Sequence, residues 1–256
     1  LIISIFSLVL FTCPFAYAQS HQLTDEYWDK AQELEKQGKY LEAAEMYVKA
    51  IEAEKASPSP RMKVLATVLT WTGYYYHQVG QYDKAIEYYE EALAIDKRLG
   101  MEAEVAGGLN NIGNVYNDWG QYDKALEYYE EALAIARKLG QEAGVARELN
   151  NIGNVYLSWG QYNKAIKHFK EALVIVRKLG QEGYVATSLN NIGNVYHSWG
   201  QSDKAIKNYE EALAIQKKLG QEAGVALCLN NIGLVYDSWG QYDKALEYYE
   251  EALAIA

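Results

Sequence analysis

Glycine returns at Gly80, Gly120, Gly160, Gly200 and Gly240, each followed by Gln and each forty residues after the last. A looser copy, Gly38-Lys39-Tyr40, precedes Gly80 by forty-two residues. A chain that repeats itself at this period does not build one central core. It builds a row of like units, each too small to bury its own apolar face and each packed on its neighbours. Six units result, the first two divergent and the last four close to identical.

Each unit reads as two helices. Around Gly120, Val105, Leu109, Ile112, Tyr116 and Trp119 follow one another at spacings of four, three, four and three, one apolar stripe along a helix. The step Trp119-Gly120-Gln121 ends that helix, because glycine accepts the left-handed backbone such a turn requires. A second helix carries Tyr122, Ala125, Tyr129, Ala132, Ala136 and Leu139, and Lys138-Leu139-Gly140 closes it. Gly113 and Ala125 are small where two helices joined by so short a turn come close. Nothing alternates with period two, so the chain is expected to be all-α, a stack of about six antiparallel helix-turn-helix hairpins. Ser57-Pro58-Ser59-Pro60 marks a longer joint between the first and second hairpins. Thr24, followed by Asp25 and Glu26, is expected to cap the first helix.

A large residue at Leu109, then Ile112-Gly113, Tyr116, Ala125, Tyr129 and Ala132, resembles the tetratricopeptide repeat family in residue type and relative spacing. The resemblance covers everything after residue 18. The usual unit has about thirty-four residues; the extra ones here fall around 138–145. That looks like the forty-residue subclass of spindle-orientation adaptors, kinesin light chains and many bacterial multidomain proteins. The resemblance implies a right-handed α-solenoid, with the first helix of every hairpin lining a concave groove that holds an extended segment of a protein partner.

The segment LNNIGNVY, at 109–116, recurs unchanged at 149–156 and 189–196, and as LNNIGLVY at 229–236. Asparagine is a poor helix former, so its repetition inside a helix asks for a reason. At about 100° per residue, Asn110 and Asn114 lie about 160° from the apolar stripe. The row is therefore expected to point away from its hairpin's own second helix. By the resemblance, Asn110, Asn114, Asn150, Asn154, Asn190, Asn194 and Asn230 face the groove as a ladder. Their amides offer both donors and acceptors to an extended peptide. Bonding to the neighbouring repeat or to water explains the same residues equally well at this stage. Asn150→Ala with Asn190→Ala is expected to weaken partner binding with little change in melting temperature. Tyr74 and Leu234 interrupt the ladder, and the lines Arg147, Thr187, Leu227 and His77, Asn117, Leu157, His197, Asp237 vary between rungs. Selectivity would reside there, at Arg147 and His197 above all. With Arg147 as its one basic groove residue, the chain lacks the Lys and Arg clamp by which chaperone-tail-binding relatives hold a terminal carboxylate.

A formal net charge of −10 argues against nucleic acid as a partner. Four scattered histidines, with no metal-ligand spacing and no nucleophile or phosphate-loop motif, argue against an enzyme, a metal site or a cofactor. Near-identical units also present the same residues many times, whereas an active site needs unlike residues to converge once. LIISIFSLVLF, Pro14 and Ala16-Tyr17-Ala18 read as a secretory signal segment over 1–18, cleaved after Ala18. That implies export to the periplasm or beyond, with no membrane span in the mature chain. Residues 19–60 then form the first divergent repeat and its joint, and 61–256 five forty-residue units. Cys228, between apolar neighbours, reads as a buried filler. The tryptophans at 119, 159, 199 and 239 read as packing at the hairpin turn. The basic pairs before each Gly, such as Arg177-Lys178, offset helix dipoles.

The expected function is a scaffold for an unidentified protein or peptide. The alternative is a docking segment of a larger exported protein with a caspase-like protease or kinase beyond Ala256. EALAIA stops inside a second helix, so the array is expected to continue or to self-associate through that end.

Overall fold

The computed structural model describes residues 2–255, with side chains from residue 19 onward. The expected signal segment, residues 1–18, lies outside the residues whose side chains are described. Twelve helices follow in order among the described residues, with no strand: α1 Ile2–Lys36, α2 Tyr40–Lys55, α3 Met62–Gln78, α4 Tyr82–Leu99, α5 Glu102–Asp118, α6 Tyr122–Lys138, α7 Glu142–Ser158, α8 Tyr162–Lys178, α9 Glu182–Ser198, α10 Ser202–Leu219, α11 Glu222–Ser238 and α12 Tyr242–Leu253. None of the helices, among the described residues, is long and apolar enough to cross a membrane.

The chain divides into two compact units, residues 1–132 and 133–256. In the first, α1 to α5 pack consecutively and α3 also touches α5. In the second, α7 to α12 pack consecutively, and the first helices of successive hairpins, α7, α9 and α11, touch one another. This is the expected all-α stack of hairpins.

Every turn among the described residues except the joint between α2 and α3 is closed on a glycine of positive φ. Gly120 has φ +76°, its N–H donates to the Asn117 carbonyl at 2.9 Å, and the Gln121 N–H donates to the Tyr116 carbonyl at 2.8 Å. The pair of bonds satisfies helix-end carbonyls that would otherwise be orphaned, and it needs a residue free of Cβ strain. Gly140 repeats the arrangement at φ +66°.

Within a hairpin, the close approach lies at Gly113. A Cβ there would meet the Tyr129 ring at 2.8 Å. The same ring-on-glycine contact recurs at Gly73 with Tyr89, Gly153 with Phe169, Gly193 with Tyr209 and Gly233 with Tyr249. In the second to sixth hairpins a lysine crosses the turn to cover a tyrosine of the first helix, as Lys124 does over Tyr116 at 4.9 Å, and Tyr116 also stacks on Tyr128. Between hairpins, Trp119 packs on Tyr82 and Trp199 on Tyr162, so the tryptophans do serve packing while staying about 40% exposed.

The basic pairs do more than offset dipoles. Lys178 Nζ donates to Glu142 at 2.7 Å inside its hairpin, and Arg177 to Glu211 at 2.7 Å on the next one. Lys218–Glu182 and Lys217–Glu251 repeat both links. All are exposed, so each is worth well under about 1 kcal/mol.

Thr24 departs from expectation. It lies inside α1 and its hydroxyl donates to the Ser20 carbonyl at 3.0 Å. A hydroxyl that bonds back one turn within a continuing helix has no N–H to cap. The joint after α2 holds a second surprise. Glu54 is fully buried, and Arg61 meets its carboxylate with its backbone N–H, Nε and Nη2, the last at 2.8 Å. Arg61 Nη2 also reaches Asp25 at 2.9 Å, and His21 Nδ1 lies 3.2 Å from Glu54.

Candidate functional site

The asparagines of the repeated segment do not behave alike. The Tyr129 hydroxyl donates to Asn114 Oδ1 at 2.6 Å, and the Tyr209 hydroxyl to Asn194 Oδ1 at 2.7 Å. Both tyrosines belong to the second helix of the same hairpin, so at these two rungs the row does not turn away from its partner helix. Glycine explains the difference. Because Gly113 and Gly193 carry no side chain, each ring lies flat across the first helix and its hydroxyl emerges beside the next residue, which is the asparagine. Burial, and secondarily the nearby Cys228, raises the Tyr209 phenol and keeps it a proton donor.

Asn190 is also committed. It is 7% exposed, and Asn231 of the following hairpin donates to its Oδ1 at 2.8 Å. Replacing Asn190 by Ala is therefore expected to disturb the stack and lower the melting temperature, rather than leave it unchanged. Asn110 accepts a bond from Asn114 at 3.3 Å.

Asn150 and Asn154, one turn apart on α7, are placed differently. Asn150 Nδ2 donates to the Ala146 carbonyl at 3.0 Å, while its Oδ1 is shielded from water without a protein partner. Asn154 is exposed and makes no protein hydrogen bond among the described residues. In its hairpin the clamping tyrosine is replaced by Phe169, which packs on Gly153 like the tyrosines but has no hydroxyl to offer. Asn230, on α11, is exposed as well.

Asn150 and Asn154 line a cleft of about 370 Å³ between α7 and α9, together with Arg147, Asn151, Tyr184, Thr187 and Asn191. Arg147 is exposed in it, but its Nε and Nη2 both reach Glu148 Oε1 at 2.9 Å. Glu148 is fully buried and also accepts from Asn151 Nδ2 at 3.3 Å. The one basic groove residue is thus met by a carboxylate, which leaves the cleft neutral and rich in amides. His197 lies near the end of α9, outside the cleft lining, and Asn190, Asn194 and Asn230 are outside it too. His77, on the same line in the first unit, lies 2.9 Å from Asp118.

Glu148 and Phe169 were not picked out in the sequence. The signal was available in register: Glu148 occupies the place of Gly108, Ser188 and Cys228, and Phe169 that of Tyr89, Tyr129, Tyr209 and Tyr249. A departure from a near-identical repeat marks where one rung differs from the rest. Cys228 is 2% exposed, and burial pushes its thiol up to about 11, which makes it an inert filler. Among the described residues, no group of three or more His, Cys, Asp and Glu could hold a metal ion.

A family model described as tetratricopeptide repeat matches residues 26–98, 104–178 and 184–256, well over half of the chain. The chain belongs to the tetratricopeptide repeat family. No curated protein matches it in sequence. Among solved structures, this tetratricopeptide array is similar to BtubC (BKLC) from P. vanneervenii, at 27% identity and a TM-score of 0.66, covering 87% of this chain and 90% of that one. It shares its fold with aspartyl phosphate phosphatase F from Bacillus subtilis, at 17% identity and a TM-score of 0.76, covering 97% and 74%. It also shares it with the Rap conjugation gene regulator of the plasmid pLS20 in complex with the Phr* peptide, at 18% identity and a TM-score of 0.61, covering 90% and 72%.

Proposed function

We propose that this tetratricopeptide array is a protein-interaction scaffold, and that the cleft between α7 and α9 takes an extended segment of a partner. The carrying observation is the pair Asn150 and Asn154 lining a neutral cleft: Asn154 makes no protein hydrogen bond among the described residues, and Asn150, whose Nδ2 donates to Ala146, keeps an Oδ1 without a protein partner. An extended peptide presents alternating N–H and C=O groups, and amide side chains match both. Arg147, neutralised by Glu148, would not clamp a terminal carboxylate. The solved array of the same fold with a peptide bound supports the reading in outline. The phosphatase name of another neighbour, at 17% identity, carries no chemistry over. Asn110, Asn114, Asn190 and Asn194 would act as frame, and His197 would touch only a ligand that runs beyond the cleft.

The test is a peptide selected on the purified protein from a random dodecapeptide phage library. Asn150→Ala with Asn154→Ala is expected to weaken its binding about tenfold or more, from two lost hydrogen bonds. The melting temperature should stay within about 2 °C, because neither side chain holds the stack together. Undiminished binding by the double variant would reject the cleft as the site. Export is proposed on the pattern of residues 1–18 alone. A mature protein whose amino-terminal sequencing begins at Gln19 would bear that out, and one retaining the segment would not.

A further inference from the structure

The repeats share a contact that one hairpin lacks. In the third and fifth hairpins a tyrosine hydroxyl holds the groove asparagine, Tyr129 to Asn114 at 2.6 Å and Tyr209 to Asn194 at 2.7 Å. In the fourth, Phe169 fills the same space, fully buried, with its ring against the backbone at Gly153. Asn154 is left exposed and unbonded one turn from Asn150, whose side-chain carbonyl is shielded without a protein partner among the described residues. Sequence identity across the rungs hides this, because the asparagine itself is the same in all three.

We propose that Phe169 is a positioning residue that sets where the array binds: by withholding a hydroxyl, it frees Asn154 for the backbone of a bound extended peptide. The inference rests on the peptide-cleft reading above. A tyrosine at 169 would donate to Asn154 Oδ1, as its counterparts do in their hairpins. It would fix the side-chain rotamer and occupy the acceptor a peptide N–H needs. A committed acceptor can still be shared, so the effect is a weakening and not a loss. Phe169 never touches the ligand; it acts through the state of Asn154.

The decisive variant is Phe169→Tyr, which adds one oxygen at a site where the sister hairpins already hold it. Its binding to the selected dodecapeptide, read by fluorescence anisotropy, is expected to fall roughly three- to tenfold, the worth of one hydrogen bond. Its melting temperature should be unchanged or higher, which separates the effect from damage to the fold. Nuclear relaxation of the Asn154 side-chain amide supplies a ligand-free readout. It should be mobile in the wild type and as ordered as Asn114 and Asn194 in the variant. Tyr209→Phe, which frees Asn194, should leave peptide binding intact or tighten it. Wild-type affinity in Phe169→Tyr, alongside weakened binding by Asn154→Ala, would overturn this inference and leave the cleft standing. If the wild type selects no peptide at all, the cleft reading itself fails and takes the inference with it.

Discussion

Gly113 and Gly107 lie six residues apart in α5 and face opposite demands. A Cβ at Gly113 would press on the Tyr129 ring at 2.8 Å, whereas one at Gly107 would meet nothing within 4 Å. Gly113→Ala is expected to cost about 1–3 kcal/mol through overpacking. Gly107→Ala should stabilise by about 0.4–1 kcal/mol, since a helical backbone that suits alanine loses less entropy on folding. Thermal unfolding of the two variants checks both signs; a stabilised Gly113→Ala would contradict the ring contact. Cys228 offers a third residue-scale test. With its thiol held up to about 11 by burial, almost no thiolate exists at pH 8. Iodoacetamide labelling mapped to Cys228 should therefore be negligible in the native protein and rapid in denaturant. Prompt native labelling would show that the helix around it opens readily.

At the scale of elements, the joint between α2 and α3 is held by charge rather than by apolar burial. Burial works to raise the Glu54 carboxyl, but hydrogen bonds from the Arg61 side chain and backbone, with His21 beside them, outweigh it and hold the group at about 2. A carboxyl with an ordinary value of 4.5 when unfolded and about 2 when folded contributes stability that is complete above 4.5. That contribution fades as pH falls from 4.5 toward 2, and acid titration of unfolding should show it. Arg61→Ala leaves a buried carboxylate uncompensated and should cost about 3 kcal/mol or more. It should also flatten the acid dependence; an unchanged profile would place the titrating group elsewhere. The helices and their glycine turns were legible in the sequence, because spacings of three and four and a glycine every forty residues leave few alternatives. The joint was legible only as a break. Ser57-Pro58-Ser59-Pro60 announces a turn, but nothing local says that Glu54 meets a residue seven positions on and His21 thirty-three positions back. Thr24 was misread for a related reason: its capping signature holds only if the helix starts there, and α1 runs through it.

For the whole molecule, repetition makes the fold easy to read and the site hard. Identical rungs imply identical roles, and the helical wheel puts every groove asparagine on one polar face. What the wheel omits is the neighbour's reach. Tyr129 and Tyr209 cross a glycine to bond Asn114 and Asn194, and Asn231 bonds Asn190 from the next hairpin. The ladder is thereby sorted into asparagines that build the array, an exposed Asn230 outside the cleft, and a pair, Asn150 and Asn154, that lines a neutral cleft. Single-residue departures within near-identical units, Phe169 and Glu148, mark the sorted place. The most direct test is to follow the side-chain amides of labelled protein by NMR while the selected dodecapeptide is added. Shifts at Asn150 and Asn154, with Asn114 and Asn194 still, are the predicted result; shifts centred on Asn114 and Asn194 with Asn154 unmoved would contradict it.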